Sequence, residues 1–305
     1  MIVKKFCYVS KGQFLRGTII LLFEVSILLK KNYKSYFEAN QKRWDELVSH
    51  HIKSRYYDLE GFKHGKTSLL PTELKELTNL EGKSLLHLQC HFGMDTLSWA
   101  RDHGAIVTGL DFSENAIKMA RELSDVLEIP ATFIQANVYD IPRVIHEQFD
   151  VVFTSYGVLC WLPDLTGWAK AVSHCMKSGG RFYIVDTHPY GEMLDERYSD
   201  RVSLGYPYTS KNGVPHEWEE DGTYADPEGV TTILKNKTEY GWYHSMSEII
   251  NALLQAGLHL EFLHESTKGF FKYHPDMVKR ADGLWEFKNM RPEIPLTFSL
   301  LARKP

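Results

Sequence analysis

The chain predicts an α/β fold wound on both faces of a mostly parallel sheet. Two observations carry that expectation: short apolar strands alternate with amphipathic helices from residue 84 onward, and strand ends deliver polar side chains to one edge. The composition agrees, since 305 residues with 43% hydrophobic side chains are enough for a full core. A net charge of −4 gives no electrostatic footprint for nucleic acid. Cys7, Cys90, Cys160 and Cys175 show neither metal-ligand spacing nor a secreted disulfide framework, so the expected compartment is a reducing, cytoplasmic one with no metal.

Residues 1–32 read as an extension outside the core. Their apolar run TIILLFEVSILL is too short to span a bilayer and contains Glu24, so no membrane partner is expected. A helix over 36–50 carrying Phe37, Trp44 and Leu47 follows, in a helical cap over 33–80. The segment SLLHLQCHFGMDTLSWARDHGAIVTGLDFS over 84–113 holds the most information. Leu85, Leu86 and Leu88 form the apolar run of a parallel strand covered on both faces. Gly93 opens a helix with Met94, Leu97 and Ala100 at helical spacing, and Gly104 stops it. A second strand over 105–110 delivers Asp111 to the carboxyl edge, where ligands bind in open parallel sheets and an acid can accept both ribose hydroxyl hydrogens. The intervening turn has Gln89, His91 and Gly93 where a dinucleotide fold wants G-x-G-x-x-G. Side chains at 89 and 91 obstruct a phosphate cradle and leave room for a ligand whose charged end is an amino acid.

These residues are similar to the first motif of class I S-adenosylmethionine-dependent methyltransferases, whose usual form is roughly VLDLGCGTG. His87 takes the place of the customary acid, Gln89 and His91 replace two glycines, and Cys90 and Gly93 match. Later segments keep the same order. Ser113 is an N-cap for a helix with Ile117, Ala120, Leu123 and Leu127 as its apolar stripe, and Pro130 precedes a third strand over 131–138. A fourth strand over 149–155 runs into YGVLCWLPD, which resembles the family segment beneath the methionine moiety and facing the acceptor. A helix over 165–176, the Ser178-Gly179-Gly180 stop and a fifth strand over 181–186 complete the cofactor-binding core of 81–186.

The resemblance, over roughly residues 34–305, implies a doubly wound Rossmann-like seven-stranded methyltransferase sheet, its last strand antiparallel, with S-adenosyl-L-methionine as cofactor. It implies cofactor contacts from His87, Gln89, His91, Gly93, Asp111, Phe112, Asn137, Val138, Ser155 and Tyr156, with Asn137 accepting from the adenine amino group in place of an acid, and a leading helix over the cofactor. The aromatic-rich stretch 187–242 is expected as a lid inserted after the fifth strand. Residues 243–305 should close the core with a helix over 246–256 and strands near 258–265 and 296–302. This tail resembles a bacterial subfamily carrying HP, YPY and GTYAD segments, which adds fold and cofactor but no acceptor.

A small-molecule acceptor is expected, with Trp161, His188, Tyr224 and Trp242 as candidates for binding it. His188, at the carboxyl end of a central strand, is the leading catalytic candidate, followed by Tyr156 and His244. A nicotinamide-dependent oxidoreductase and a non-catalytic cofactor-binding paralogue are the competing readings. The first lacks its glycine turn; the second draws on the replaced motif residues.

Overall fold

The computed structural model describes residues 33–198, 201–226, 230–289 and 293–305. The extension expected over 1–32 lies outside them. Helix α1 spans 33–51, one turn or less beyond its expected bounds, and is followed by short helices α2 (Leu59–Lys63) and α3 (Pro71–Glu76). The core then alternates β1 (Ser84–Leu88), α4 (Met94–His103), β2 (Ile106–Asp111), α5 (Glu114–Val126), β3 (Ala131–Gln135), α6 (Ile141–Val144), β4 (Phe149–Ser155), α7 (Leu165–Cys175) and β5 (Met176–Thr187). A hairpin of β6 (His216–Glu219) and β7 (Thr238–Gly241), helix α8 (Met246–Gln255), β8 (His259–Ser266), a second hairpin of β9 (Met277–Lys279) and β10 (Trp285–Phe287), and β11 (Thr297–Arg303) complete it.

Seven strands form one sheet in the order β3-β2-β1-β4-β5-β11-β8, with β11 antiparallel to both its neighbours. This is the doubly wound, mostly parallel sheet that the strand pattern predicts. Alternation along each strand sorts side chains between two layers. Leu86, Leu88, Val152, Phe182 and Ile184 pack with α7 and α8, including Trp168 and Leu253. Leu85, Val151, Phe153 and Tyr183 pack on the other face with Trp99 of α4 and with Leu77 at the end of α3.

Local chemistry explains the helix ends. Ser113 Oγ accepts the Ala116 N–H at 3.1 Å, Ser245 and Glu248 form a reciprocal capping box, and Gly104 closes α4 at φ 67°. Two boundaries differ from expectation. β3 ends at Gln135, three residues early, because Asn137 caps a 3-10 turn over Val138–Asp140. β5 begins at Met176, before the glycine pair; its pairing jumps from Phe149↔Met176 to Val151↔Arg181, and this irregularity absorbs Ser178-Gly179-Gly180 inside the strand. The β9–β10 hairpin is an element that no sequence pattern signalled.

α1 is tied to both the sheet edge and the 187–242 segment. Gln41 Nε2 donates to the Phe112 carbonyl at 2.7 Å, and Asp45 Oδ1 accepts from Ser113 Oγ at 2.6 Å. Arg43 reaches the other way, donating to the carbonyls of Glu220 at 2.9 Å and Gly222 at 3.2 Å. Among the described residues no helix is long and apolar enough to cross a membrane.

Gly109 in β2 is held by packing. A Cβ there would lie 2.7 Å from the Phe133 ring and 2.8 Å from Cys90 Sγ. Gly109→Ala should therefore destabilise the fold by about 1–3 kcal/mol through overpacking. A shift of the denaturant midpoint to lower concentration at unchanged slope is the expected readout; an unchanged midpoint would mean that this contact relaxes freely.

Candidate functional site

The carboxyl ends of β1, β2 and β4 open into a cavity of about 860 Å³. Each of the ten residues expected to meet a cofactor lines it: His87, Gln89, His91, Gly93, Asp111, Phe112, Asn137, Val138, Ser155 and Tyr156. The turn after β1 has an unusual backbone. Gln89 and His91 sit in the left-handed region at φ 56° and 48°, alongside Gly93 at 80°. For residues with a Cβ this conformation costs roughly 1–2 kcal/mol each, so something must hold them there. Gln89 Nε2 donates to the Val158 carbonyl at 3.2 Å, and the His91 N–H donates to Asp111 Oδ2 at 2.9 Å. The substitutions keep the path of a glycine turn and anchor it with side chains.

Asp111 is buried and accepts a second backbone N–H, from Ser113, at 2.9 Å; burial pushes its carboxyl up to about 6. Each oxygen keeps a lone pair for a ligand donor. Ser155 Oγ donates to Asp95 Oδ2 at 3.0 Å, so at 3.3 Å it accepts from His87 Nε2–H, and His87 Nδ1 then accepts from Thr96 Oγ1 at 2.8 Å. Burial holds His87 down to about 3, which keeps the ring neutral. The His91 ring joins a chain, bonding His51 at 2.9 Å, which bonds Thr223 Oγ1 at 2.8 Å and so links the turn through α1 to the segment before β7. Gln89 Oε1 is buried with no hydrogen-bond partner. Gln89 lines the cavity, so this unpartnered acceptor lies within its wall.

Asn137 has a double role. It lines the cavity, but its Oδ1 accepts the Tyr139 N–H at 3.0 Å, so one lone pair serves the turn. Tyr156 packs against Phe270 with ring centroids 4.4 Å apart, and its hydroxyl bonds Glu73 Oε2 at 2.5 Å. Trp161 stacks edge-on against Trp44 at 5.6 Å, and Tyr224 bonds Tyr57 through their hydroxyls. Both Trp161 and Tyr224 line the cavity.

Three expected acceptor-side residues do not. His188 is 1% exposed; its Nε2 bonds Glu265 Oε1 at 2.8 Å and its Nδ1 accepts the Tyr190 N–H at 3.1 Å. Both ring nitrogens are engaged and His188 is not among the residues that line the cavity. His244 bonds the Leu162 carbonyl through Nε2 at 2.7 Å, and the Trp242 indole N–H donates to the Gly213 carbonyl at 3.0 Å. Trp242 packs against Tyr33 and Tyr36. Its aromatic character serves packing.

The wall holds residues that sequence reasoning missed. Phe270, Phe271 and Trp285 come from the stretch between β8 and β11, Asp95 from the first turn of α4, and Glu192 from the 3-10 turn Gly191–Met193 after β5. Asp186, at the end of β5, is buried and accepts four backbone N–H groups: Gly157 at 2.5 Å, Val158 at 3.2 Å, Leu159 at 3.1 Å and Thr187 at 2.7 Å. It fixes the segment after β4. Among the described residues no cluster of three or more His, Cys, Asp or Glu is placed to hold a metal ion.

Glu73 lies behind Tyr156, fully buried, and burial pushes its carboxyl up to about 8. A carboxyl whose folded value is raised binds more protons folded than unfolded, so its contribution to stability is lost as pH rises from the ordinary carboxylate range through about 8. Glu73→Gln should flatten the fall in denaturant midpoint between pH 5 and 9, a range set by roughly the ordinary and shifted values. An equally steep fall in the variant would assign the pH dependence to other groups.

Comparison with known proteins bears on what the cavity holds. Residues 86–184, from β1 to β5, match the model of a methyltransferase domain. The chain is 34% identical over 157 residues to a ubiquinone biosynthesis O-methyltransferase of Proteus mirabilis, covering 50% of this chain and 62% of that protein. It is 32% identical over 162 residues to a demethylmenaquinone methyltransferase of Lactococcus lactis, covering 51% and 63%. The chain thus spans somewhat over three fifths of the length of these curated relatives. An S-adenosylmethionine-dependent methyltransferase of Mesorhizobium loti superposes with a TM-score of 0.51 at 21% identity, covering 79% of this chain and 100% of that one. One of Clostridium acetobutylicum gives 0.50 at 11% identity, covering 89% and 98%. Residues 86–184 are a methyltransferase domain, and the sheet built around them has the fold of class I S-adenosylmethionine-dependent methyltransferases.

Proposed function

We propose that this chain transfers a methyl group from S-adenosylmethionine to a small-molecule acceptor bound in the same cavity. The observation that carries this reading is the composition of that one cavity. Beside the motif residues its wall bears an apolar set, Leu69, Leu74, Phe270, Phe271 and Trp285. A cofactor of nucleoside and amino-acid parts leaves room there for an apolar acceptor. The relatives' names support a small molecule in that role.

The residues present fit the cofactor. Asp111 would take the ribose hydroxyls, Asn137 and Val138 would border the adenine, and the unpartnered Gln89 Oε1 would accept from the ammonium of the methionine part. When bound, the cofactor supplies an electrophilic methyl group on a sulfonium. The chain's own task is to hold the acceptor in line and exclude water, and positioning of this kind lowers a barrier by roughly 7–11 kcal/mol. The aromatic wall of Trp44, Tyr57, Trp161 and Tyr224 suits that task. Thr187, Glu192 and Tyr224 are the cavity residues drawn from the described part of the 187–242 stretch, which supports an acceptor-side role for it. The free thiols of Cys90, Cys160 and Cys175 suit a reducing, cytoplasmic setting.

Incubation with methyl-labelled cofactor and a small-molecule extract should move label into a metabolite. Binding of S-adenosylhomocysteine without transfer would favour a non-catalytic cofactor-binding protein. Asp111→Ala should weaken S-adenosylhomocysteine binding by about 1.5–3 kcal/mol per lost charge-assisted bond, measured by calorimetry. Asp111→Asn, which keeps one carbonyl for the loop N–H groups, should weaken it less. Wild-type affinity in both variants would remove Asp111 from the cofactor site.

A further inference from the structure

We propose that Glu192 is the base that takes the proton of the acceptor, which makes the acceptor a hydroxyl, amine or other group with a hydrogen to lose. This rests on the methyl-transfer reading above.

Glu192 faces the cavity from the 3-10 turn that follows β5. His188 builds that turn: its carbonyl accepts the N–H of Gly191 at 2.7 Å and of Glu192 at 3.2 Å, while its ring holds Tyr190 and Glu265. The histidine is thus a positioning residue, and the carboxyl-bearing residue four positions on is the one that lines the cavity. The other carboxylates of the wall have other duties. Asp111 holds the turn after β1, Asp95 takes the Ser155 hydroxyl, and Asp58 and Asp282 pair with Lys66 and Arg280. Among the described residues no cation pairs with Glu192, and the neighbouring Thr187 side chain favours its charged form.

The titratable and polar groups within electrostatic reach of it are Asp186 and Thr187 of β5, Cys160 after β4, Tyr243 after β7, and Tyr273 after β8. None is cationic. Burial first, and then the Asp186 charge, push the Glu192 carboxyl up to about 7, where a base is matched to neutral pH. In the step itself the acceptor heteroatom bonds to the methyl carbon as the carbon–sulfur bond breaks. The electron pair of that bond goes to sulfur, leaving a neutral thioether, and the acceptor proton goes to the Glu192 carboxylate.

The test compares wild type, Glu192→Gln and Glu192→Asp in transfer from methyl-labelled S-adenosylmethionine at saturation into a small-molecule bacterial extract, across pH 5.5–9, a range set by roughly one and a half to two units either side of the shifted value. Wild-type rate should climb with pH through about 7 and level off. Glu192→Gln should lose about 10²- to 10⁴-fold and the rising limb, while Glu192→Asp regains part of both. S-adenosylhomocysteine affinity should stay within about twofold in all three, because the residue acts on the acceptor. In the free protein with carbon-labelled glutamate, one carboxyl resonance titrating near 7 should vanish in Glu192→Gln. A glutamine variant that keeps the rate and the limb overturns the proposal, as does one that loses cofactor affinity in step with rate, or no resonance lost near 7. Absence of transfer by the wild type overturns this proposal together with the methyl-transfer reading.

Discussion

The site exists because β1 and β4 lie side by side while the chain leaves them in opposite directions. From β1 it crosses through α4 to β2, and from β4 through α7 to β5, so the two connections cover opposite faces of the sheet. No connection closes the crevice beyond Leu88 and Ser155, and open parallel sheets bind ligands at such a reversal. The loops that leave this edge carry backbone N–H groups with no strand or helix to bond. Two buried carboxylates collect them: Asp111 holds the loops after β1 and β2, and Asp186 the segment after β4. Burial raises both carboxyls, and the N–H groups they accept oppose that shift, so each anchor draws its strength from the loops it orders.

The turn after β1 shows how far a motif can drift while its backbone persists. Left-handed geometry at Gln89 and His91 carries strain, and the strain is held by contacts to Val158, Asp111 and His51. Those side chains also give the cavity an unpartnered oxygen and a neutral hydrogen-bond chain reaching Thr223. The turn after β1 and the segment before β7 are thereby joined through α1, whose Arg43 also donates to the Glu220 and Gly222 carbonyls.

Periodic features were legible in the sequence. The apolar runs of β1 and β4, the stripe of α5 and the caps at Ser113 and Gly104 follow from burial and capping rules that act within a few residues. The strand-end acid Asp111 followed from the same pattern. What escaped was placed by contacts distant along the chain. Glu192 sits in an aperiodic turn, and the ring of His188, four residues earlier, is bonded to Glu265, 77 positions away. Trp285 belongs to a short hairpin whose pairing leaves little alternation to read, and Phe270 and Phe271 to the aperiodic stretch between β8 and β9. Trp242 illustrates the converse, an aromatic in a suggestive stretch whose surroundings are other aromatics.

A nucleoside–amino acid ligand in the sheet-edge cavity would be read by Asp111 and Gln89, both of which line it. A crystal structure of the full chain grown with saturating S-adenosylhomocysteine tests it most directly. The ribose hydroxyls should lie on Asp111, the adenine beside Asn137 and Val138, and a ligand donor on Gln89 Oε1. Electron density for the ligand outside this cavity, or in it with Asp111 and Gln89 Oε1 untouched, would contradict it.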